Sequence, residues 1–127
     1  MRTDHEVPGP ADLGVDVHKV AWVLDSILAR SGGLPPYESL VDEEDVLTSY
    51  IMALLPSVQT VTDQMDHGTP EWHSRQRILD QTRDHIQGGL GNGLLSANTH
   101  VVGLARYCQF ILKFHEADAS GRTAATK

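Results

Sequence analysis

The stretch that decides the fold is residues 47–65, LTSYIMALLPSVQTVTDQM, in which Leu47, Tyr50, Ile51, Leu54, Val58, Val61 and Met65 recur at steps of three and four. Those steps place all seven side chains on one face of an α-helix, and such a face must be buried against other helices. Pro56 lies inside the run. A proline in a helix interior removes one backbone hydrogen bond and crowds the preceding turn, so a kink near Ala53–Leu55 is expected. The stripe keeps its phase on both sides of Pro56, which favours one kinked helix over two.

Upstream, Asp42-Glu43-Glu44-Asp45 supplies four consecutive carboxylates. They suit the first turn of this helix, where the positive end of the helix dipole favours negative charge. The expected span is therefore about Asp42 to Asp66. A first helix is expected over Asp16–Arg30, with Val17, Val20, Ala21, Leu24, Ile27 and Leu28 on one face. Asp16 suits its N-terminal end and Gly32-Gly33 its stop. Leu34-Pro35-Pro36-Tyr37 makes a short extended connector.

Downstream, Thr69 is a good N-cap and Pro70 stands where a missing N–H costs nothing, so a third helix runs from Pro70 to about Gln87. Trp72, Ile78, Leu79 and Ile86 face one way along it, while Arg75, Arg77, Asp80, Arg83 and Asp84 are expected to be mostly solvated. The last helix runs from about Ser96 to Glu116, with Val101, Leu104, Ala105, Cys108, Ile111 or Leu112, and His115 on its buried face. Residues 1–14, with Pro8, Gly9 and Pro10, read as a flexible leader. From Ala117 onward small polar residues dominate, and 117–127 read as a disordered tail. The sum is one domain over residues 15–116. It is an all-α, four-helix up-down bundle with a Pro-kinked second helix, because short turns make consecutive helices antiparallel neighbours.

Charge and cysteine content narrow the function. The 127 residues carry a formal charge of −7, which argues against a nucleic-acid-binding surface. Residues 1–66 hold 12 acidic and 3 basic side chains, residues 67–127 hold 5 and 7. That imbalance suits either an acidic half packed beside a mildly basic one or an acidic face that docks a basic partner. Cys108 is the single cysteine, so neither an internal disulfide nor a cysteine-rich metal site is possible. No apolar run approaches the roughly 20 residues of a membrane span, and the start of the chain lacks a signal-peptide core. A cytoplasmic protein is expected.

The chemistry-bearing residues form no complete catalytic set. Gly88 to Gly93 lacks the preceding strand and following Lys-Ser/Thr of a phosphate-cradling loop and reads as a helix connector. Seven histidines are present, but no Glu-x-x-His pair of the kind that builds metal sites in bundles. Neither a metal nor another cofactor is expected. His100 on a small helical bundle resembles the phosphotransfer domains of bacterial signalling, whose motif has a lysine and then a glycine three and four residues after the histidine. Gly103 and Leu104 stand there instead, so the phosphoryl-holding lysine is missing. Cys108 lies on the buried stripe, where a thiol behaves as a small hydrophobe.

Two candidate surfaces remain. Tyr107, Phe110 and Phe114 form an aromatic edge on the last helix and, with the acidic Asp42, Glu43 and Asp45, define an interaction surface for a protein partner or a second copy in a homodimer. Alternatively, Trp72, His85, His100, Tyr107 and His115 line a small-molecule or catalytic pocket between the third and fourth helices.

Two blocks carry a family likeness: Leu54-Leu55-Pro56-Ser57-Val58, and Val102-Gly103-Leu104-Ala105-Arg106-Tyr107-Cys108 followed by Leu112 and His115. Over about residues 40–115 the chain resembles an uncharacterised family of small helical actinobacterial proteins catalogued with natural-product biosynthesis. The resemblance implies a cytoplasmic accessory or regulatory role near secondary metabolism, and it carries over no catalytic residue.

Overall fold

The computed structural model describes residues 17–30 and 33–125, with side chains from 18 to 30 and from 33 to 120. The expected leader over 1–14, Asp16, Gly32 and the last two residues of the expected tail lie outside the described residues. Four helices account for almost all of what is described: α1 (Val17–Leu28), α2 (Tyr37–Gln64), α3 (Pro70–Gly88) and α4 (Leu94–Ala125). No strand occurs among the described residues.

The helices alternate in direction. Arg30, just past α1, forms a bidentate pair with Glu43 of α2 at 2.9 and 3.1 Å, so the end of one helix meets the beginning of the next. Gln59 bonds Gln76 at 2.9 Å and Arg75 bonds Thr62 at 3.1 Å, which runs α3 antiparallel to α2. Glu44 and His100, both early in their helices, meet at 3.2 Å, so α2 and α4 are parallel. The α2–α4 contact is the most extensive in the bundle. Leu40, Leu47, Ile51, Leu54 and Val58 of α2 and Ala97, Val101, Leu104, Ala105, Cys108 and Ile111 of α4 are fully buried, and Val20, Leu24 and Ile27 of α1 close the core. Each buried Leu or Ile contributes roughly 2 kcal/mol, and the small Ala and Cys side chains let the two backbones approach.

Pro56 does not split α2, which runs unbroken past it. It faces outward, where the loss of one hydrogen bond leaves the core undisturbed. Thr69 caps α3 as expected, accepting from the Trp72 amide at 3.1 Å. In the connector to α4, Gly89, Gly91 and Gly93 have φ of 68°, 73° and 103°. Backbone of this hand explains the glycines without a phosphate.

Three boundaries and one side chain differ from expectation. Helix α2 begins at Tyr37 rather than near Asp42, because Pro36 ends the extended connector and its carbonyl accepts from Ser39 and Leu40 at 3.0 and 3.3 Å. Leu40, two turns before Leu47, is thereby drawn into the core, and the four carboxylates fall in the second turn. Helix α4 begins at Leu94 and continues beyond Glu116 to Ala125, so most of the stretch assigned to a polar tail is helical. Within that extension Asp118 holds Arg75 at 2.9 and 3.0 Å and ties the added turn to α3. Arg75, expected in solvent, is 8% exposed; it also donates to Thr62 and lies over the Phe114 ring at 4.7 Å.

Removing one member of a buried ion pair strands the other, at a cost of about 3 kcal/mol. Asp118→Ala, or a chain ending at Glu116, is expected to lose that much in urea unfolding. An unchanged midpoint in both would show that Arg75 does not depend on this partner.

Candidate functional site

The last turns of α3 and the first turns of α4 carry a polar knot inside an otherwise apolar seam. His100 sits on the inner side of α4 and is 7% exposed. Its ring stacks on that of His85 from α3, with centroids 4.5 Å apart and planes 10° from parallel. His85 Nε2 donates to the His100 carbonyl at 2.8 Å, which defines the protonated nitrogen of that ring. Tyr107, two turns along α4, tilts against His85 at 5.3 Å. From α2, Glu44 Oε2 approaches His100 Nε2 at 3.2 Å, an ion-pair distance without the alignment of a hydrogen bond.

The backbone of α4 makes room for this stack at one residue. A Cβ on Gly103 would stand 2.5 Å from Cε1 and 2.6 Å from Nε2 of His85. Glycine is therefore what lets the imidazole lie against the helix. The position that departs from the phosphotransfer motif has a packing role in this protein.

Of the five residues expected to line a pocket between the third and fourth helices, the structure brings together His85, His100 and Tyr107. The His85 ring lies against both of the others. Trp72 is at the other end of α3, stacked on His67 at 4.4 Å and edge-on to His73 at 4.9 Å. His115 is buried, but fifteen residues from His100 along one helix is roughly 22 Å. Glu44 was not anticipated. Its signal is present in the sequence, since it lies four residues after Leu40 and seven before Ile51, a carboxylate on an apolar stripe.

The expected interaction surface is also divided. Phe114 is half-buried beneath Arg75 and Tyr107 half-buried against His85, whereas Phe110 is 46% exposed beside Arg106, Gln109 and Lys113. Asp42 and Asp45 are exposed, and Glu43 is taken up by Arg30.

A groove opens on the opposite side of α3, between α2 and α3. Met52, Leu55 and Pro56 face Ile86 across it, with Gln59, Gln87 and Arg83 as its polar members, and its volume is about 480 Å³. The groove was not legible because its wall pairs Met52, Leu55 and Pro56, none of them on the α2 stripe, with Ile86 and Arg83, which read as lying on different faces of α3.

Residues 15–120 match a family of unknown function, DUF6415. The chain belongs to that family. The DUF6415 match takes in all of α1, α2 and α3 and reaches Asp118, so it covers the first helix that the 40–115 resemblance leaves out. Neither a curated protein nor a solved structure matches the chain. Among the described residues of this DUF6415 protein, no three His, Cys, Asp or Glu side chains are arranged to hold a metal ion, and no helix is long and apolar enough to cross a membrane. The near-parallel planes of His85 and His100 explain the first point at the knot, because stacked rings do not converge their nitrogens. Burial pushes the Cys108 thiol up to about 12, so it stays protonated at neutral pH.

His100 is held below its ordinary value of 6.5, chiefly by burial and then by the neighbouring His85, with Glu44 acting in the opposite sense. The unfolded chain therefore binds more protons than the folded one as pH falls below about 6.5. His100 contributes its full stability above that pH and loses it progressively toward its lower folded value. Wild type should lose more melting temperature between pH 7.5 and 5.5 than His100→Asn does; identical pH slopes would remove His100 as the cause.

Proposed function

We propose that this protein is a small cytoplasmic accessory module that binds an apolar small molecule in the groove between α2 and α3. The groove itself carries the reading. Its volume of about 480 Å³ falls within the range of small-molecule sites, and four of its seven lining residues are apolar. It spans two turns of α2, about 12 Å in length, which fits a compact metabolite and is far short of the surface a stable protein interface buries. Arg83 is the single charged residue lining it, and its nearest carboxylate, Asp80, is 4.0 Å away and mostly in solvent. An anionic or hydrogen-bond-accepting head on an apolar body meets that arrangement best. A place beside secondary metabolism, implied by the resemblance over residues 40–115, agrees with a protein that holds such a compound.

A second reading is a homodimer or partner-binding module built on Phe110. Phe110 is exposed between Arg106 and Lys113, while Asp42 and Asp45 are exposed on α2, so one chain carries both halves of a complementary charge pair. The native mass separates this reading from a monomer, and Phe110→Glu should return any dimer to the monomer mass.

The groove is tested with 8-anilinonaphthalene-1-sulfonate, an apolar aromatic anion, at pH 7.5. Saturable binding to the native chain is expected. Met52 is 55% exposed, so Met52→Glu leaves the fold intact while placing a negative charge in the groove. It should weaken binding about tenfold, or about 1.4 kcal/mol, and Arg83→Gln should weaken it less. Binding unaffected by Met52→Glu would overturn the reading.

A further inference from the structure

The groove wall and the histidine knot occupy the same turns of one helix. Arg83, Ile86 and Gln87 line the groove from α3, and His85, between them in sequence, turns to α4. We infer that the His85–His100 stack is an acid-sensitive latch that holds the last turns of α3 in the position where they complete the groove, and that its protonation releases the bound molecule. This inference rests on the proposed role of the groove and names its regulation.

The geometry supplies the mechanism. Helix α3 has lighter apolar anchorage at this end: Leu79, two turns earlier, is its fully buried hydrophobe, whereas Ile86 is half-buried where it packs against the core. The tie to α4 is the His85 Nε2–H bond to the His100 carbonyl together with the ring stack over Gly103. The titratable groups in contact with the pair are Glu44 from α2, His85 itself from α3, and Tyr107 from α4. One carboxylate balances one imidazolium. A second proton on the pair sets two positive charges face to face at 4.5 Å, in a place closed to water on the His100 side, with no second anion among those contacts. The stack then separates. His85 leaves the Gly103 surface, and the turn bearing Arg83, Ile86 and Gln87 loses its tie. Burial of His100 sets the direction: release belongs on the acid side of its ordinary value, not at neutral pH.

The test uses the full chain at pH 7.5 and 5.5, with near-ultraviolet circular dichroism confirming a folded state at both. The same naphthalene sulfonate probe serves, since its charge does not change in this range. Wild-type affinity should fall at least tenfold on acidification. His85→Gln keeps an N–H donor for the His100 carbonyl and removes one imidazole from the pair, so its affinity should be close to wild type at pH 7.5 and change less than threefold at pH 5.5. Gly103→Ala should give low affinity at both values.

Amide-exchange protection over residues 83–88, measured at the same two pH values, reads the latch without the probe. It should drop in wild type and hold in His85→Gln. Probe binding that is sensitive to Met52→Glu but indifferent to pH would overturn the latch and leave the groove standing. Absence of any such binding, with protection still lost on acidification, would keep the latch and overturn the groove. Equal pH dependence in His85→Gln and wild type would overturn the latch in either case.

Discussion

Helix α3 is the element on which this bundle's arrangement depends, because it cannot be held by hydrophobic burial alone. Leu79 is its fully buried hydrophobe, and Arg75, Thr82 and His85 stand on its inner side. Beside Leu79, Ile78 and Ile86, which pack on the core, the helix is fastened by two polar knots about ten residues, or roughly 15 Å, apart. Arg75 reaches Thr62 and the Val58 carbonyl on α2 and Asp118 on α4. His85 reaches the His100 carbonyl on α4. The parallel pair α2 and α4 forms a hydrophobic spine, and α3 is pinned across it at both ends.

The spine was legible in the sequence and the pins were not. The stripe from Leu47 to Met65 and its partner from Val101 to Leu112 are periodic, and periodicity reports burial against a neighbour. The turns around Thr69-Pro70 and the glycine-rich connector were legible for a related reason, since capping and left-handed backbone demand particular residue types. Asp118 illustrates what escapes this kind of reading. Nothing local marks it as different from other acidic residues in a small polar stretch; its role comes from an arginine 43 positions away. Arg75 escapes it in the same way, because a charged side chain on a helix is solvated unless a distant partner and an aromatic face are supplied. The start of α2 precedes the four carboxylates, although the dipole favours them in the first turn. Four carboxylates tolerate a second turn well, and the burial of Leu40 is worth more than the few tenths of a kcal/mol they lose there.

The histidines repay a similar comparison. Counting ligands asked whether several rings would converge on a metal, and the two that meet do so by stacking. Gly103 was legible only as a failed motif, although a glycine inside a helix costs about 1 kcal/mol relative to alanine and needs a compensating reason. The reason is the imidazole laid against it. Glu44 falls inside the helix wherever its start is placed, and its role at the knot comes from a histidine on another helix, which no local pattern marks.

The two knots differ in what they do for the protein. The Arg75 knot is saturated: two carboxylate oxygens, a hydroxyl, a carbonyl and an aromatic face surround one permanent charge. Such a site ties its end of α3 to both neighbouring helices. The His85 knot is unsaturated, with His100 Nε2 lacking an aligned partner and a single carboxylate beside two rings. A buried polar group left short of partners costs more than an apolar replacement of the same shape would. Retaining one next to a helix turn that walls a groove makes physical sense if that end of α3 is meant to move while the other stays put. A helix fixed at Arg75 and releasable at His85 can swing only at its C-terminal end, and that is the end carrying Arg83, Ile86 and Gln87.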